Sequence, residues 1–455
     1  MAAAGSSRVN FILRGVRVID PLARLDAHGQ DVWIDSGRIV AIYHHIDEGS
    51  VPVVDLTPAP GAEECVLCPG FIDLHTHLRE PGDEEAETVK SGARAAAAGG
   101  FTSIVAMANT RPPIDTPERV ADAYARAADA PVAVLQVAAL SRDVAGAKLT
   151  DVQGCLAAGA VAIGDDGRNA ASPRLVVQAL QRAAKGGRPV MIHPEDEEAI
   201  AQINDATGSV VRCVERPPQV ETRAVDVAIR ALAHARTGRL HLQHLSTARS
   251  VEMVRRAVEQ GLEVTAEVTP HHLAMWLPVE APPEPVSLLK VNPPLRTDAD
   301  RAALVHALRD GTIDAMATDH APHRAEEKSR DYANAAPGMI GLETALATCL
   351  TLGGMGGEWI PTLVERMTAG PHRVLGAAIG IPTPRLHIGE MATAALFDPD
   401  AEWTVDAESL RSRSHNTPLL GARLKGRVLL TLSEGRVVHA DAERIPVAAG
   451  EVAHA

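Results

Sequence analysis

Hydrophobic and polar positions alternate in short runs near both ends of the chain. Val16-Arg17-Val18-Ile19 and Val32-Trp33-Ile34 are typical N-terminal runs, and Gly15, Pro21 and Gly29 interrupt them. Runs with a two-residue period are typical of half-buried strands. Similar runs near the C-terminus lie at 393–397, 428–432 and 436–438. The pattern predicts small antiparallel strands that join both ends in one β domain, with the middle of the chain inserted between its halves.

The middle of the chain alternates short apolar runs with longer, alanine-rich segments of helical periodicity. This alternation predicts βα units and a parallel sheet. Helices are predicted at 117–128, 172–185, 221–235 and 248–260. Eight strands are predicted to end near residues 75, 106, 136, 163, 193, 244, 267 and 319. The expected fold is therefore α/β, a (β/α)8 TIM-type barrel at 69–385 with a small β-sandwich domain built from 1–68 and 386–455.

Composition narrows the classes of function. Hydrophobic residues make up 46% of the 455 residues and charged residues 22%, so a large core can form without disulfides. Aromatic residues make up only 2%, which predicts a core of Ala, Val, Leu and Ile. The net charge of -14 argues against a nucleic-acid-binding surface, which needs a basic face. A site with local positive charge could still bind an anionic substrate.

The cysteines and the apolar segments allow a prediction of where in the cell the protein is located. An odd, sparse set of five cysteines is typical of reduced thiols in a cytoplasmic protein: Cys65, Cys68, Cys155, Cys213 and Cys349. The Cys65/Cys68 pair lacks a second C-x-x-C, so we predict neither a zinc site nor a redox role there. The sequence has no predicted signal peptide and no segment predicted to span a membrane. We expect a cytoplasmic protein.

Residue types that bind metal ions fall at predicted strand ends, which open onto one face of a barrel. They are His75 and His77 on strand one, Asp165 and Asp166 after strand four, and His193, His244 and Asp319 on strands five, six and eight. Taken singly, a histidine here could be a buried core residue, and either aspartate a turn residue. His-x-His is more specific, because alternate strand residues share a face. Five or six ligands exceed the needs of one tetrahedral zinc, which predicts two bridged divalent ions.

Such a centre predicts hydrolytic chemistry. Two bridged ions would supply hydroxide at neutral pH and would polarise a carbonyl group under attack. Asp319 would take the proton of that hydroxide and deliver it to a leaving nitrogen. The expected reaction makes or breaks an amide bond.

At this point several motifs resemble those of a known family. The run Pro69–Gly82, with its Asp73-Leu74-His75-Thr76-His77 core, resembles the dihydroorotase family within the amidohydrolase superfamily. Further matches lie at 107–112, 165–167, 290–296 and 317–323, so the resemblance covers nearly the whole chain. It implies the reversible cyclisation of N-carbamoyl-L-aspartate to L-dihydroorotate and water, in pyrimidine biosynthesis.

The resemblance also implies the ligands of two zinc ions. His75, His77 and Asp319 would hold one ion, His193 and His244 the other, and Asp166 would bridge them. In many relatives the bridge is a carboxylated lysine, but 161–167 contains no lysine here. This segment resembles the bacterial branch that uses aspartate, and it departs from dihydropyrimidinases and hydantoinases. Only similarity favours Asp166 over Asp165, and cobalt or manganese would suit the same ligands.

Substrate contacts are implied in the same way. Arg79 offers a planar fork for a carboxylate, although it could instead form a surface ion pair. Asn109 and His323 match positions that help to hold this carboxylate, although Asn109 could be a turn residue. Asn292 matches a position that touches the ring amide. The remaining substrate contacts that we expect are His77, Pro337 and Gly338.

Two further polar runs lie near predicted strand ends. Thr269-Pro270-His271-His272 follows strand seven, and we expect it to be structural or to support the ligands, because the ligand set is already complete. Glu195-Asp196-Glu197-Glu198 follows His193 and most resembles the solvated first turn of a helix.

Other functions compete with the dihydroorotase reading. The chain could hydrolyse another cyclic ureide, as a dihydropyrimidinase, hydantoinase or allantoinase would. Alternatively, it could be an inactive scaffold for aspartate transcarbamoylase, although such scaffolds typically lose metal ligands and none is missing here. An active enzyme could also dock on that partner. We expect a small-molecule substrate and a homo-oligomer, with neither nucleic acid nor membrane as a partner.

Overall fold

The computed structural model describes residues 9–167, 172–196, 199–200, 216–277, 287–376 and 379–446. Glu197 and Glu198 of the acidic run, and Cys213, lie outside the described residues. Among the helices described, none combines the length and the apolar character needed to cross a membrane.

The two ends of the chain join in one β domain, as predicted, and their strands share one sheet. Its strands are β1 (Asn10–Asp20), β2 (Leu25–Asp35), β3 (Arg38–Tyr43), β4 (Val53–Asp55), β5 (Val66–Pro69), β14 (Ala394–Thr404), β15 (Arg423–Ser433) and β16 (Arg436–Ala440). Their order is β16-β15-β14-β5-β1-β2-β3, and β4 also pairs with β1. The expectation of a purely antiparallel sheet is wrong, because β1 runs parallel to β4 and β5. Since β3 already runs in the direction of β1, the chain must cross over before it enters β4.

Gly15 does not interrupt the first strand. β1 continues through it, and the register with β2 shifts on either side of Val16. Gly15 has a φ of +73°, and a Cβ there would lie 2.7 Å from the hydroxyl oxygen of Thr57. Gly15 therefore allows a β-bulge within a long strand, whereas the sequence pattern predicts that the strand breaks there.

The middle of the chain forms the predicted barrel. Its strands are β6 (Phe71–Thr76), β7 (Phe101–Ala106), β8 (Ala133–Ala138), β9 (Ala162–Asp165), β10 (Pro189–Ile192), β11 (Arg239–Leu242), β12 (Val264–Val268) and β13 (Ala315–Met316). They are hydrogen-bonded in sequence order and all run parallel. A parallel bridge between Thr76 and His320 brings the last strand back to the first, and the amide of His77 donates to the carbonyl of His320 at 2.8 Å. The α/β barrel expected from the sequence is confirmed.

Helices separate most of the barrel strands. They are α1 (Val89–Ala98), α2 (Pro117–Arg126), α3 (Val152–Ala157), α4 (Pro173–Ala183), α5 (Pro218–Ala235), α6 (Ala248–Glu259), α7 (Pro270–Ala274), α8 (Asp298–Asp310), α9 (Ala325–Lys328), α10 (Ala345–Thr351), α11 (Ile360–Met367) and α12 (Ala369–Leu375). Threonine begins several of them: Thr247, for example, accepts the amide of Ser250 at 3.2 Å. All four helices predicted from periodicity are present within a few residues of their expected ends.

Small aliphatic side chains fill the space between strands and helices. α1 buries Ala93, Ala95, Ala96 and Ala97 against the barrel, in keeping with the low aromatic content. Three of the four phenylalanines lie where the two sheets meet. The ring of Phe71 lies 5.6 Å from that of Phe101 and 6.3 Å from that of Phe397 on β14, so these large side chains join the barrel to the mixed sheet.

The C-terminal segment between β14 and β15 returns to the mouth of the barrel. Val405, Leu410 and Leu419 are buried there in one cluster with Ile340 and Ala347 of the barrel. The amide of Ile340 also donates to the carbonyl of Asn416 at 3.1 Å. The C-terminal segment, which was assigned to the β domain, therefore also packs on the barrel. The domain boundaries at 68/69 and 385/386 remain a prediction.

Candidate metal centre and active site

The His-x-His motif lies at the end of β6. His75 and His77 point to the same side, with ring centroids 5.3 Å apart, while the hydroxyl of Thr76 donates to Val105 on the neighbouring strand. His75 is fully buried and His77 is 7% exposed. The two-residue period of the strand therefore directs both imidazoles into the mouth of the barrel.

Two groups of side chains could each hold a metal ion, and they share Asp166. One contains His75 and His77, and the other contains His193 and His244. Oδ1 of Asp166 lies 3.0 Å from Nε2 of His75 and 3.7 Å from Nδ1 of His193, while Oδ2 lies 3.4 Å from Nε2 of His77. Nδ1 of His193 is 2.8 Å from Nε2 of His244. This arrangement has the form of two sites joined by one carboxylate.

Asp319 completes the first group. Its Oδ1 lies 3.1 Å from Nε2 of His77 and 3.5 Å from Nε2 of His75. Both Asp319 and His244 lie past the last paired residue of their strands, with φ values of +47° and +30°. These left-handed residues are strained, and strain of this kind is concentrated at functional sites.

The side chains present fit a divalent metal ion. Nε2 of His75 and Oδ1 of Asp166 are buried, yet neither has a hydrogen-bond partner among the described residues. Buried polar atoms are almost always hydrogen-bonded, so unpartnered atoms that face one another indicate a missing ligand. Imidazole nitrogens and carboxylate oxygens are donors that zinc and similar ions accept.

The charges in this cluster are strongly coupled. Burial disfavours the ionised form of Asp319, but His75 and His77 outweigh it and hold the pKa of this carboxyl well below its usual value. Burial lowers the pKa of His193, but the neighbouring carboxylates of Asp166 and Glu195 raise it to about 9. Without an ion, histidines therefore supply the positive charge that the carboxylates require.

The adjacent aspartates face different ways. Oδ1 of Asp165 accepts the amide of Ser141 at 2.9 Å, its Oδ2 accepts the hydroxyl of the same residue, and burial raises the pKa of Asp165 to about 6. Asp166 instead faces the histidines. Asp166 is thus the aspartate that lies among the candidate ligands, and its bridging role remains a prediction.

Arg79 and His323 meet at the rim of the mouth, with Pro337 and Gly338 beside them. Nε of Arg79 donates to the carbonyl of Pro322 at 3.0 Å, and its Nη2 lies 3.4 Å from Nε2 of His323. The same His323 nitrogen is 2.8 Å from the carbonyl of Pro337. Gly338 has a φ of +130°, and a Cβ there would lie 2.7 Å from the side chain of Ala321. Only glycine therefore suits this close approach.

The two asparagines contact the ligand set directly. Oδ1 of Asn109 lies 3.0 Å from Nδ1 of His77, and its amide donates to Asp166 at 3.1 Å. The amide of Asn292 lies 3.3 Å from Nε2 of His193. Both asparagines are half-buried, whereas the metal-binding side chains are buried. Each asparagine can thus touch both the centre and a bound molecule.

The environment of Glu195 differs from the one predicted from the sequence. The acidic run was expected to be a solvated helix turn, but Glu195 is only 6% exposed. Its Oε2 lies 3.3 Å from Nε2 of His193 and accepts the amide of Asn292 at 3.0 Å, while its Oε1 pairs with Arg216. Arg216 also donates to Oδ1 of Asn292 at 2.8 Å. The sequence signal that could have indicated this contact is that Glu195 follows the candidate ligand His193 by two residues.

In the segment after β12, His272 makes contacts that hold neighbouring backbone. Thr269 accepts the amide of His272 at 3.2 Å, and Nε2 of His272 lies 3.0 Å from the carbonyl of Pro293. Burial lowers the pKa of His272 to about 4, so this imidazole is neutral near pH 7.

Known proteins resemble this chain along nearly its whole length. The profile of the amidohydrolase family matches residues 66–438. A dihydroorotase of Anaeromyxobacter dehalogenans is 42% identical over 434 residues, which cover 94% of this chain and 98% of that protein. A dihydroorotase of Clostridium acetobutylicum is 36% identical over 435 residues, which cover 95% and 100%.

The fold also matches a solved structure. The crystal structure of a dihydropyrimidinase from Brevibacillus agri has a TM-score of 0.81 and 24% identity, and the match covers 95% of each chain. At this identity the likeness shows the fold alone. The family profile and the relatives above show that the chain belongs to the amidohydrolase family and, within it, to the dihydroorotases.

Proposed function

We propose that this protein is a dihydroorotase that interconverts L-dihydroorotate and N-carbamoyl-L-aspartate. The observation that carries the proposal is the position of Arg79. Arg79 is a partly exposed residue at the rim of the mouth, next to His323 and close enough to Asp319 and Asp166 for both carboxylates to affect its pKa. A cyclic ureide with a carboxylate can therefore offer its ring to the centre and its charge to this residue.

The proposed cofactor is a pair of zinc ions. His75, His77 and Asp319 would hold one, His193 and His244 the other, and Asp166 would contact both. A bound pair of divalent ions would lower the pKa of water and polarise the carbonyl group under attack. The other steps fall to side chains of the chain itself.

Substrate orientation is assigned to the residues of the rim. The fork of Arg79 suits two parallel hydrogen bonds to a carboxylate. His323 lies against Arg79, and burial together with that positive charge lowers the pKa of His323 to about 3. We propose that His323 shares the carboxylate with Arg79 by giving up the contact of its Nε2–H with the carbonyl of Pro337. Asn292 is proposed to hold the amide of the ring.

Asp319 is proposed to move the proton. In the hydrolytic direction, the carbonyl carbon of the ring amide gains the oxygen of water, and the carbon–nitrogen bond breaks. Asp319 takes a proton from the water and gives it to the departing nitrogen, which leaves as the amino group of the ureido product. The new acid ionises, and cyclisation is the same sequence in reverse.

An assay with metal analysis on the same sample tests the proposal. We expect the purified, zinc-loaded chain to contain two ions and to hydrolyse L-dihydroorotate with a higher kcat/KM than dihydrouracil, hydantoin or allantoin. Faster hydrolysis of a neutral ring would contradict the proposed substrate. Absence of all four activities, after reloading with zinc, would favour the inactive scaffold.

We propose further that the protein is a cytoplasmic homo-oligomer. Native mass spectrometry of the purified chain tests the oligomer, and a monomer would contradict it. Co-purification tests the predicted docking on aspartate transcarbamoylase.

A further inference from the structure

A chain of hydrogen bonds runs through the interior of the barrel behind the metal centre. Nδ1 of His75 lies 2.8 Å from Oε1 of Glu267 on β12. The other oxygen of Glu267 lies 2.9 Å from Nε2 of His241 on β11, and Nδ1 of His241 lies 2.9 Å from the hydroxyl of Thr265. His75, Glu267 and His241 are all fully buried. The sequence alone predicts no role for Glu267 or His241.

The contacts define which nitrogen of His75 carries its proton. An ionised carboxylate accepts hydrogen bonds only, so Nδ1 of His75 donates to Glu267, and Nε2 is the nitrogen left to bind an ion. This Nε2 faces Asp166 and Asp319 and has no hydrogen-bond partner among the described residues. The amide of Gln243 also approaches Nδ1, at 3.3 Å, and would favour the opposite tautomer. The carboxylate contact is shorter and charge-assisted, so it prevails.

His241 keeps Glu267 in place. The hydroxyl of Thr265 is closer to Nδ1 of His241 than to the carbonyl of Leu240, at 2.9 against 3.3 Å. Because an ionised carboxylate only accepts hydrogen bonds, the Nε2–H of His241 donates to Glu267. His241 and Thr265 are direct neighbours in the β11–β12 pairing, so the backbone fixes this geometry. Glu267 then retains its negative charge, directly behind His75.

Glu195 provides an instructive contrast. It contacts a metal-binding histidine in the same way, but Arg216 pairs with it and offsets its charge. Among the described residues, the side chains that contact the Glu267 carboxylate are His75 and His241, and neither brings a permanent charge. Two divalent ions carry more charge than Asp166 and Asp319 can neutralise, and Glu267 supplies a further carboxylate through one hydrogen bond.

We infer that Glu267, held by His241, is a positioning residue of the metal centre. It fixes His75 with the proton on Nδ1, presents Nε2 to the ion of the His75/His77 group, and makes that nitrogen a stronger donor. Carboxylates that orient metal-binding histidines typically contribute a factor of about 10 to 100 in metal affinity. The inference rests on the metal centre of the proposed function, but not on the identity of the substrate.

Metal binding by Glu267→Gln tests the inference. Glutamine has the same shape and can still contact both histidines, but it lacks the charge. With the full chain stripped of metal, Zn²⁺ binding is measured in competition with a chromophoric chelator. We expect one of the two binding steps to weaken about 10- to 100-fold while the other changes little. Asp31→Asn is the matched control, because Asp31 is a buried, ion-paired carboxylate of the mixed sheet. It should weaken neither step.

Two results for Glu267→Gln would overturn the positioning role of Glu267. Unchanged binding of both ions by Glu267→Gln would overturn it. So would equal weakening of both steps with a lower melting temperature of the metal-free chain, because that result indicates a general structural role. If Glu267→Gln does not fold, Glu267→Asp keeps the charge and should weaken the same step by a smaller factor; unchanged binding would again overturn the inference.

The wild-type chain distinguishes the remaining cases. If it binds two ions but does not hydrolyse dihydroorotate, only the proposed substrate fails. If it binds no divalent ion, this inference and the proposed metal centre fail together.

Discussion

The side-chain oxygen of Asn416 accepts the backbone amide of His323 at 3.0 Å. The amide of the same side chain donates to the carbonyls of Ala321 and Gly338, at 3.0 and 3.2 Å. Asn416 is buried and belongs to the C-terminal segment between β14 and β15. One side chain from outside the barrel therefore ties together two segments that are proposed to bind the substrate.

Asn416→Ala should impair substrate binding more than the chemical step. Three hydrogen bonds are lost, each of which typically contributes about 1 kcal/mol, and two backbone carbonyls lose a donor. We expect KM for dihydroorotate to rise at least about tenfold, with a smaller change in kcat. Steady-state kinetics checks this, with the exposed Asn334→Ala as control. An unchanged KM would show that the two segments hold their positions without Asn416.

Arg79→Met should abolish the preference for a ring that carries a carboxylate. Methionine fills a similar volume but offers no charge and no donor. A lost charge-assisted, two-point contact typically costs about 3 kcal/mol, so kcat/KM for dihydroorotate should fall roughly 100-fold or more. Arg79→Lys should recover only part of the loss, because lysine cannot form the fork. Near wild-type activity in Arg79→Met would instead favour a neutral ring as the natural substrate.

Asp319→Asn should reduce kcat without a comparable effect on KM. Asparagine keeps the shape of the side chain but cannot accept and release a proton. General acid–base catalysis contributes a factor of about 10² to 10⁴, and we expect a loss in that range. Because Asp319 is also a proposed metal ligand, kinetics and metal content must be measured on the same zinc-loaded sample. A variant with full metal content and more than a tenth of the wild-type kcat would exclude Asp319 as the proton carrier.

Glu343 should make stability depend on pH near neutrality. Burial raises the pKa of Glu343 to about 7, although the carboxylate accepts the amides of Arg411 and Ser412. A raised pKa means that the contribution to stability is fully present below the unfolded value of 4.5 and is lost as pH rises through 7. Relative to Glu343→Gln, the wild-type chain should thus lose stability between about pH 4.5 and pH 8.

The size of this effect has an upper limit. At about 1.4 kcal/mol per pKa unit, the loss is at most about 3 kcal/mol, and water that reaches the half-buried carboxyl reduces it. Urea unfolding of both proteins across this pH range measures the difference. A constant difference between the two curves would contradict the raised pKa.

The barrel was predictable because its signals are local. Each strand is a short apolar run, each major helix has a strong period, and the candidate ligands fall at the strand ends. His75 and His77 are the clearest case, since the two-residue period alone places them together. The extension of β1 through Gly15 was missed because a glycine in a bulge and a glycine in a turn look alike in one sequence.

The supporting residues of the site were harder to predict, for a physical reason. Asn416 acts through backbone groups that lie 78 to 95 positions away along the chain, and no local pattern encodes such a contact. Glu195 was judged by the polar residues beside it, although Arg216 and Asn292 determine its environment. Long-range partners decide whether a charged residue is solvated or buried, and only the folded structure supplies them.

Gly70 alone separates β5 of the mixed sheet from β6 of the barrel. A Cβ at Gly70 would lie 2.2 Å from the side chain of Thr102, so the chain passes through this joint without room for adjustment. β5 and β6 therefore form a nearly continuous extended segment. One end of this segment is paired in the mixed sheet, and the other end carries His75 and His77. A crosslink or an antibody that distorts the mixed sheet near β5 would thus act on the metal centre along covalent bonds, at a distance of about 20 Å.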